Sequence, residues 1–237
     1  MSQSEILTHG NPGRIIEVKV GNETYVRYPI KTRVITIGDN LETVTKEFVK
    51  EYQSDDIVGI VSKIVSICNG FYVHESKLKI TWLSKFLVRF VKKWPNDPGY
   101  ANPKKIQLAM DIVGKPRFIW AMIGGGFMKL IGKPGYFYRI AGHNINAIDG
   151  FSSEIYPKPL DEYGFLLPDN PDAICDELEV KTGMQNVMLD SNDRDVHVLG
   201  ASKGVKSRFS SEEIKQLFGG NPQGQDDGTP YVLVRKK

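Results

Sequence analysis

A chain of 237 residues, 41% hydrophobic and 25% charged, is long enough for one large domain or two small ones around a hydrophobic core. Its net charge of +3 is too mild to argue for nucleic acid, and no apolar run reaches the ~18 residues needed to span a bilayer. The start, MSQSEILTHGNPG, lacks a basic region followed by an apolar run, so no signal peptide is expected, and Cys68 and Cys175, with no metal-ligand spacing, read as reduced core residues of a cytoplasmic protein.

In chain order, residues 14–20 and 24–30 flank Gly21-Asn22-Glu23 and predict a hairpin, which Thr32 to Ile37 extends. Asn40 is placed to cap a helix on Leu41, Val44, Phe48 and Val49. IVGIVSKIVSIC, after Asp55 and Asp56, predicts a buried strand passing into a tight segment, with Ser62 and Lys63 interrupting it. Such a lysine either contacts a phosphate or carboxylate or snorkels to solvent. Residues 77–94 have the period of an amphipathic helix, packed on the core with a solvated basic face or lying on a membrane surface.

A shorter helix is predicted from Pro103 to Val113. The glycines between Phe118 and Gly142 lack Walker or dinucleotide spacing, and predict turns around a Lys133-Pro134-Gly135 hairpin with Tyr136 to Ile140 as a strand. Asp149 follows a short apolar stretch and is a candidate ligand for a divalent cation. Residues 153–170 look irregular, a helix starts at Pro171, and Ser210 or Ser211 caps another. Residues 219–230 form a polar loop before a terminal strand from Tyr231 to Arg235.

The chemistry is expected at VMLDSNDRDVHVLGASKGV, residues 187–205. There a buried strand ends in Asp190 and Ser191, and Gly200 to Gly204 are small enough to let N–H groups approach an anion. The alternative for this stretch is an acidic hairpin turn.

KTRVITIGDNL, DDIVGIVSKIVSICNG, NINAID, FLLPDNPDA, NVMLDSNDR and GQDDGTPYVLVRK resemble, in the same order, segments of the coenzyme F-420:gamma-glutamyl ligase family, over about residues 30–237. The resemblance implies a mixed α+β fold, with mixed sheets and packed helices, in an intertwined homodimer. It further implies a single domain, divisible near residue 150 into subdomains 14–150 and 151–237. By this likeness an NTP, ATP or GTP, and two divalent cations, Mg2+ or Mn2+, convert a carboxylate to an acyl phosphate that the amine of L-glutamate displaces. The acceptor is a small molecule, such as a deazaflavin coenzyme or a folate, with neither nucleic acid nor membrane as partner. Asp149 and Asp190 match two aspartates on one metal, Ser191 a threonine beside the second, and Gln225 a metal-ligating Gln or Glu. Asp149 and Asp190 are also the residues on which catalysis would depend. Thr32, Arg33, Val34 and Ile35, the pair Ser62 and Lys63, and Gly224, Gln225, Asp226, Asp227, Gly228 and Thr229 match nucleotide-contacting segments. Ile67 stands where the family has a lysine, and Ser152 where it has an asparagine. Asp193-Arg194 replaces a glycine-arginine turn, a family segment is missing between Gly204 and Ser210, and residues 124–142 read differently. Ile67 and Ser152 suggest, as an alternative, a nucleotide- or metal-binding regulatory homologue without turnover; the basic aromatic pattern of residues 77–94 gives a third, a membrane-surface module.

Overall fold

The computed structural model describes residues 5–6, 10–91, 100–133, 135–142, 145, 148–191, 196–224 and 228–237. The chain forms two compact units: Met1–Gly70 with Pro168–Lys237, and Phe71–Leu167 inserted between them.

In the first unit, strand β1 (Glu5–Ile6) and the hairpin strand β2 (Glu17–Val20) both pair with β3 (Glu23–Lys31). The strand stops at Lys31, so the expected extension through Ile37 does not form; that segment instead folds around Asp39. Helix α1 (Leu41–Phe48) starts where expected, because the Asn40 side chain accepts from the Thr43 N–H at 3.0 Å. Its buried Leu41, Val44 and Phe48 recur at helical spacing. The apolar strand β4 (Ile57–Val61) runs directly into α2 (Ser62–Asn69), which is the tight segment expected there. Ser62 and Lys63 therefore open a helix rather than interrupt a strand.

The inserted unit holds the larger departures. It begins with β5 (Tyr72–His74) and α3 (Trp82–Leu87), the latter followed by a 3-10 turn over Val88–Phe90. The long amphipathic helix expected over residues 77–94 is thus reduced to two short pieces, started by the Thr81 cap, and residues 92–94 lie outside the described residues. Leu87 is buried, whereas Trp82, Phe86 and Phe90 are exposed. Helix α4 (Pro103–Val113) matches its expected bounds, with Asn102 capping at one end and Gly114 at the other.

The described residues of 118–142 contain no hairpin strand. They form α5 (Lys115–Leu130) and α6 (Tyr136–Ala141), and Pro134 lies outside the described residues. The glycines sit inside α5 because the helices approach closely: a Cβ on Gly125 would stand 2.8 Å from Phe137 Cα, and one on Gly124 the same distance from Ile140 Cδ1. Packing thus outweighs the helix penalty of glycine, about 1 kcal/mol each. A three-stranded antiparallel sheet ordered β5-β7-β6 completes the unit, with β6 (Asp149–Gly150) and β7 (Tyr163–Phe165).

Back in the first unit, α7 (Pro171–Thr182) starts at Pro171, as expected, and ends at Gly183 in the left-handed conformation. Strands β8 (Asn186–Ser191) and β9 (Val196–Ala201) pair antiparallel. Helices α8 (Lys203–Arg208) and α9 (Ser211–Phe218) follow, the second opened by a capping box between Ser210 and Glu213. Strand β10 (Tyr231–Lys236) closes a mixed sheet ordered β1-β3-β10-β4-β8-β9, with β2 on β3. Gly59, at the centre of β4, has no room for a side chain: a Cβ would meet the Phe218 ring of α9 at 2.5 Å. The protein is a mixed α+β fold, and no described helix is long and apolar enough to cross a membrane.

Candidate functional site

Strands β4 and β8 are parallel, with Val61 opposite Leu189, so both carboxyl ends open at one end of the sheet. Antiparallel β10 starts there, Tyr231 opposite Ile60 and Ile30, which brings the end of β3 to the same place. The carboxyl ends of parallel strands are the usual location of ligand sites in sheet-and-helix folds. Thr32, Ser62, Lys63, Asp190, Ser191, Gly228 and Thr229 all belong to segments that meet at this end. The Thr32 N–H donates to the Gly228 carbonyl at 3.1 Å, and the Val61 N–H to the Pro230 carbonyl at 3.1 Å.

The loop before β10 is tied to the strand tips by buried amides. Ser191 Oγ donates to Gln223 Oε1 at 3.0 Å, and Gln223 Nε2 donates to the Pro230 carbonyl at 2.8 Å. Asn11 Nδ2 donates to Thr229 Oγ1 at 2.9 Å and to the Pro222 carbonyl at 3.1 Å, while the Thr229 hydroxyl donates to the Gln223 carbonyl. Asn221, in the left-handed region at φ 47°, donates to the Gly224 carbonyl at 3.0 Å. Gln223 and Asn11 are organising residues that sequence reasoning missed. The only local signal was a Gly-Asn-Pro tripeptide at both 10–12 and 220–222. Gln225, Asp226 and Asp227, expected to contact metal or nucleotide, lie outside the described residues.

The side chains at this end differ in availability. Ser62 is buried at the first position of α2, whose preceding residue, Val61, provides no side-chain cap. The start of that eight-residue helix carries partial positive charge. Lys63 is half-buried at the next position. Val34 is exposed and Ile35 buried. Arg33 is engaged within the protein, paired with both Asp39 oxygens at 2.7 and 2.8 Å and reaching Glu47 at 3.4 Å. A register slip between Met188 and Leu189 precedes Asp190, which is half-buried and lies opposite His197. Bulges of this kind re-aim side chains next to sites. Ser191, with its proton given to Gln223, presents hydroxyl lone pairs as a hard donor.

Asp149 belongs to the inserted unit and has its own surroundings there. Its Oδ1 accepts from the Gly150 N–H at 2.7 Å and lies 3.5 Å from Nζ of buried Lys105; its Oδ2 accepts from the Tyr156 hydroxyl. Phe151, two residues on, holds φ at 50°, and Gly150 at 97° admits no Cβ, which would fall 2.1 Å from the Tyr163 carbonyl oxygen. A bulky residue in the left-handed region costs on the order of 1–3 kcal/mol, and such strain clusters at functional sites.

The turn at Gly200 to Gly204 does receive anions, but they are the protein's own. Three carboxylates of α7 take its N–H groups: Asp172 that of Ala201 at 2.9 Å, Asp176 that of Lys203 at 2.7 Å, and Glu179 that of Gly204 at 3.1 Å. The expected small-residue approach is thus spent on packing α7 against β9. The thiols of Cys68 and Cys175 are both pushed up to about 12, chiefly by burial, and are poor nucleophiles near neutrality.

Among the described residues no three His, Cys, Asp or Glu side chains cluster as metal ligands. Fold and site together define an α+β protein with its polar segments gathered at the carboxyl ends of two parallel strands. No protein-family model matches the chain, and no curated protein matches it in sequence.

Proposed function

We propose that the protein is a metal- and nucleotide-dependent ligase that joins L-glutamate to a small-molecule carboxylate acceptor. The observation that carries this reading is the meeting of segments 32–35, 62–63, 190–191 and 228–229 at one sheet end. These segments were singled out by their resemblance to the ligase family, independently of the sheet topology. An acceptor carboxylate oxygen attacks the terminal phosphorus of ATP or GTP and releases the nucleoside diphosphate. The glutamate amine then attacks the acyl carbon, loses a proton and releases inorganic phosphate. The start of α2 with Lys63 binds phosphate oxygens, and residues 220–224 and 228–230, held by Gln223 and Asn11, orient the nucleotide.

Asp190 and Ser191 are hard oxygen donors of the kind Mg2+ and Mn2+ take, and they would hold metal at this sheet end. Bound there, a divalent cation would neutralise charge on the phosphates. Two observations favour a second reading. Lys105 already supplies a cation to Asp149, and Ile67, standing for a family lysine, is buried. A binding protein without turnover would fit these two facts.

The test is incubation with ATP or GTP, Mg2+ or Mn2+, L-glutamate and a panel of carboxylate acceptors, followed by mass spectrometry. A gain of one glutamyl unit with acceptor-dependent phosphate release, lost in Asp190→Asn, is expected. Metal-dependent nucleotide binding without phosphate release would replace the ligase with the binding protein, and no nucleotide binding would end both readings.

A further inference from the structure

Helix α5 carries an apolar face that nothing in the described structure covers. Trp120, Ile123, Phe127 and Leu130, with Ile131 at its end, are 54% to 87% exposed. At 100° per residue these positions fall within an arc of about 100°, one stripe along a helix about 24 Å long. The opposite face is used up: Phe118 and Ala121 are buried, and Gly125 lies against Phe137 of α6. Burial of an apolar stripe is the ordinary reason for a helix to have one, so this stripe calls for a partner outside the described structure.

Charge identifies that partner. Between Asp111 and Asp149 the sequence contains no acidic residue, and it places Lys115, Arg117, Lys129, Lys133 and Arg139 around the α5-α6 pair. The inserted unit has 14 Lys and Arg against 7 Asp and Glu, a net +7, while the rest of the chain has 17 against 21 and is net −4. The mild overall charge therefore conceals a strongly basic unit. A second copy docked on the same face would set these cations against themselves. Nucleic acid would satisfy the cations and leave Ile123, Leu130 and Ile131 in water. An anionic bilayer surface satisfies both: the stripe enters the acyl boundary while Lys115, about 110° round the helix from its centre, and Lys133, beyond the helix end, meet headgroup phosphates, with tryptophan at the interface.

We infer that the protein docks reversibly on anionic phospholipid membranes through the exposed face of α5. This is a peripheral contact, independent of the ligase reading. It moves the membrane contact expected over residues 77–94 to 115–131. That no described helix is long and apolar enough to cross a bilayer says nothing about a helix lying in the interface.

The test is co-sedimentation of the full chain with vesicles of phosphatidylcholine alone or with about a third phosphatidylglycerol, with light scattering in parallel. Binding is expected only to the anionic vesicles, weakened by salt, and lowered about tenfold or more in Trp120→Ser with Phe127→Ser. Lys115→Glu with Lys133→Glu leaves the apolar face intact and should lose binding too, which covers the case in which the first variant misfolds. Failure of wild-type protein to bind anionic vesicles at low salt, or undiminished binding by the folded variants, would overturn the inference. So would equal binding to duplex DNA that these variants weaken alike, or a dimer that the Trp120 and Phe127 changes split. Glutamyl transfer in solution is expected to be the same in both variants, so failure here leaves the ligase reading standing.

Discussion

Arg33, singled out for the nucleotide, is committed to the fold through its neighbour Asp39. In turn, Asp39 is held by it. The Arg33 hydrogen bonds hold its carboxyl below the ordinary value of 3.8, with burial opposing and the Thr36 N–H assisting. A depressed carboxylate stabilises the folded chain above its unfolded value, and that contribution is lost as pH falls through the folded one. Asp39→Asn should therefore cost on the order of 1 kcal/mol near neutrality, as a bidentate pair does, and the difference from wild type should shrink below about pH 4. Urea unfolding across pH reads this, and a difference that persists in acid would mean that the pair is not its source. What sequence could reveal at this scale follows from range. Asp190 and Ser191 were legible because an apolar run stops at them. Gln223, Asn11 and Lys105 were not, since Asn11 bonds to Thr229, 218 positions away, and leaves no local pattern.

Among the elements, α1, α4 and α7 were readable from their caps and terminators. Helices α5 and α6 were not. Three consecutive glycines lower helix propensity, and an exposed apolar stripe removes the contrast between faces on which the periodicity argument depends. The same glycines give a test with opposite signs inside one helix. Gly125→Leu forces a Cβ to within 2.8 Å of Phe137 backbone, which cannot yield as a flexible side chain would. It should destabilise the inserted unit by about 1–3 kcal/mol. Gly126→Ala meets nothing within 4 Å and should stabilise by up to about 1 kcal/mol from helix propensity. Thermal unfolding that shifts both variants the same way would contradict this account of the packing.

For the whole molecule, the homodimer that the family resemblance implies should appear in light scattering near twice the chain mass of 26.6 kDa in dilute solution. A mass of one chain would count against it. The inserted unit adds a consequence that needs no interface at all. Its entry and exit lie side by side, the Leu166 N–H donating to the Phe71 carbonyl at 2.9 Å. While the unit is folded, the main sheet sees a short link between Gly70 and Pro168; when it unfolds, the sheet must close a free loop of 97 residues. Going from a few residues to that length costs about 3 kcal/mol of closure entropy. Melting the insert would thus loosen the parallel β4-β8 pair from a distance, and anything that holds the insert folded, a bilayer included, would tighten it by polymer statistics alone.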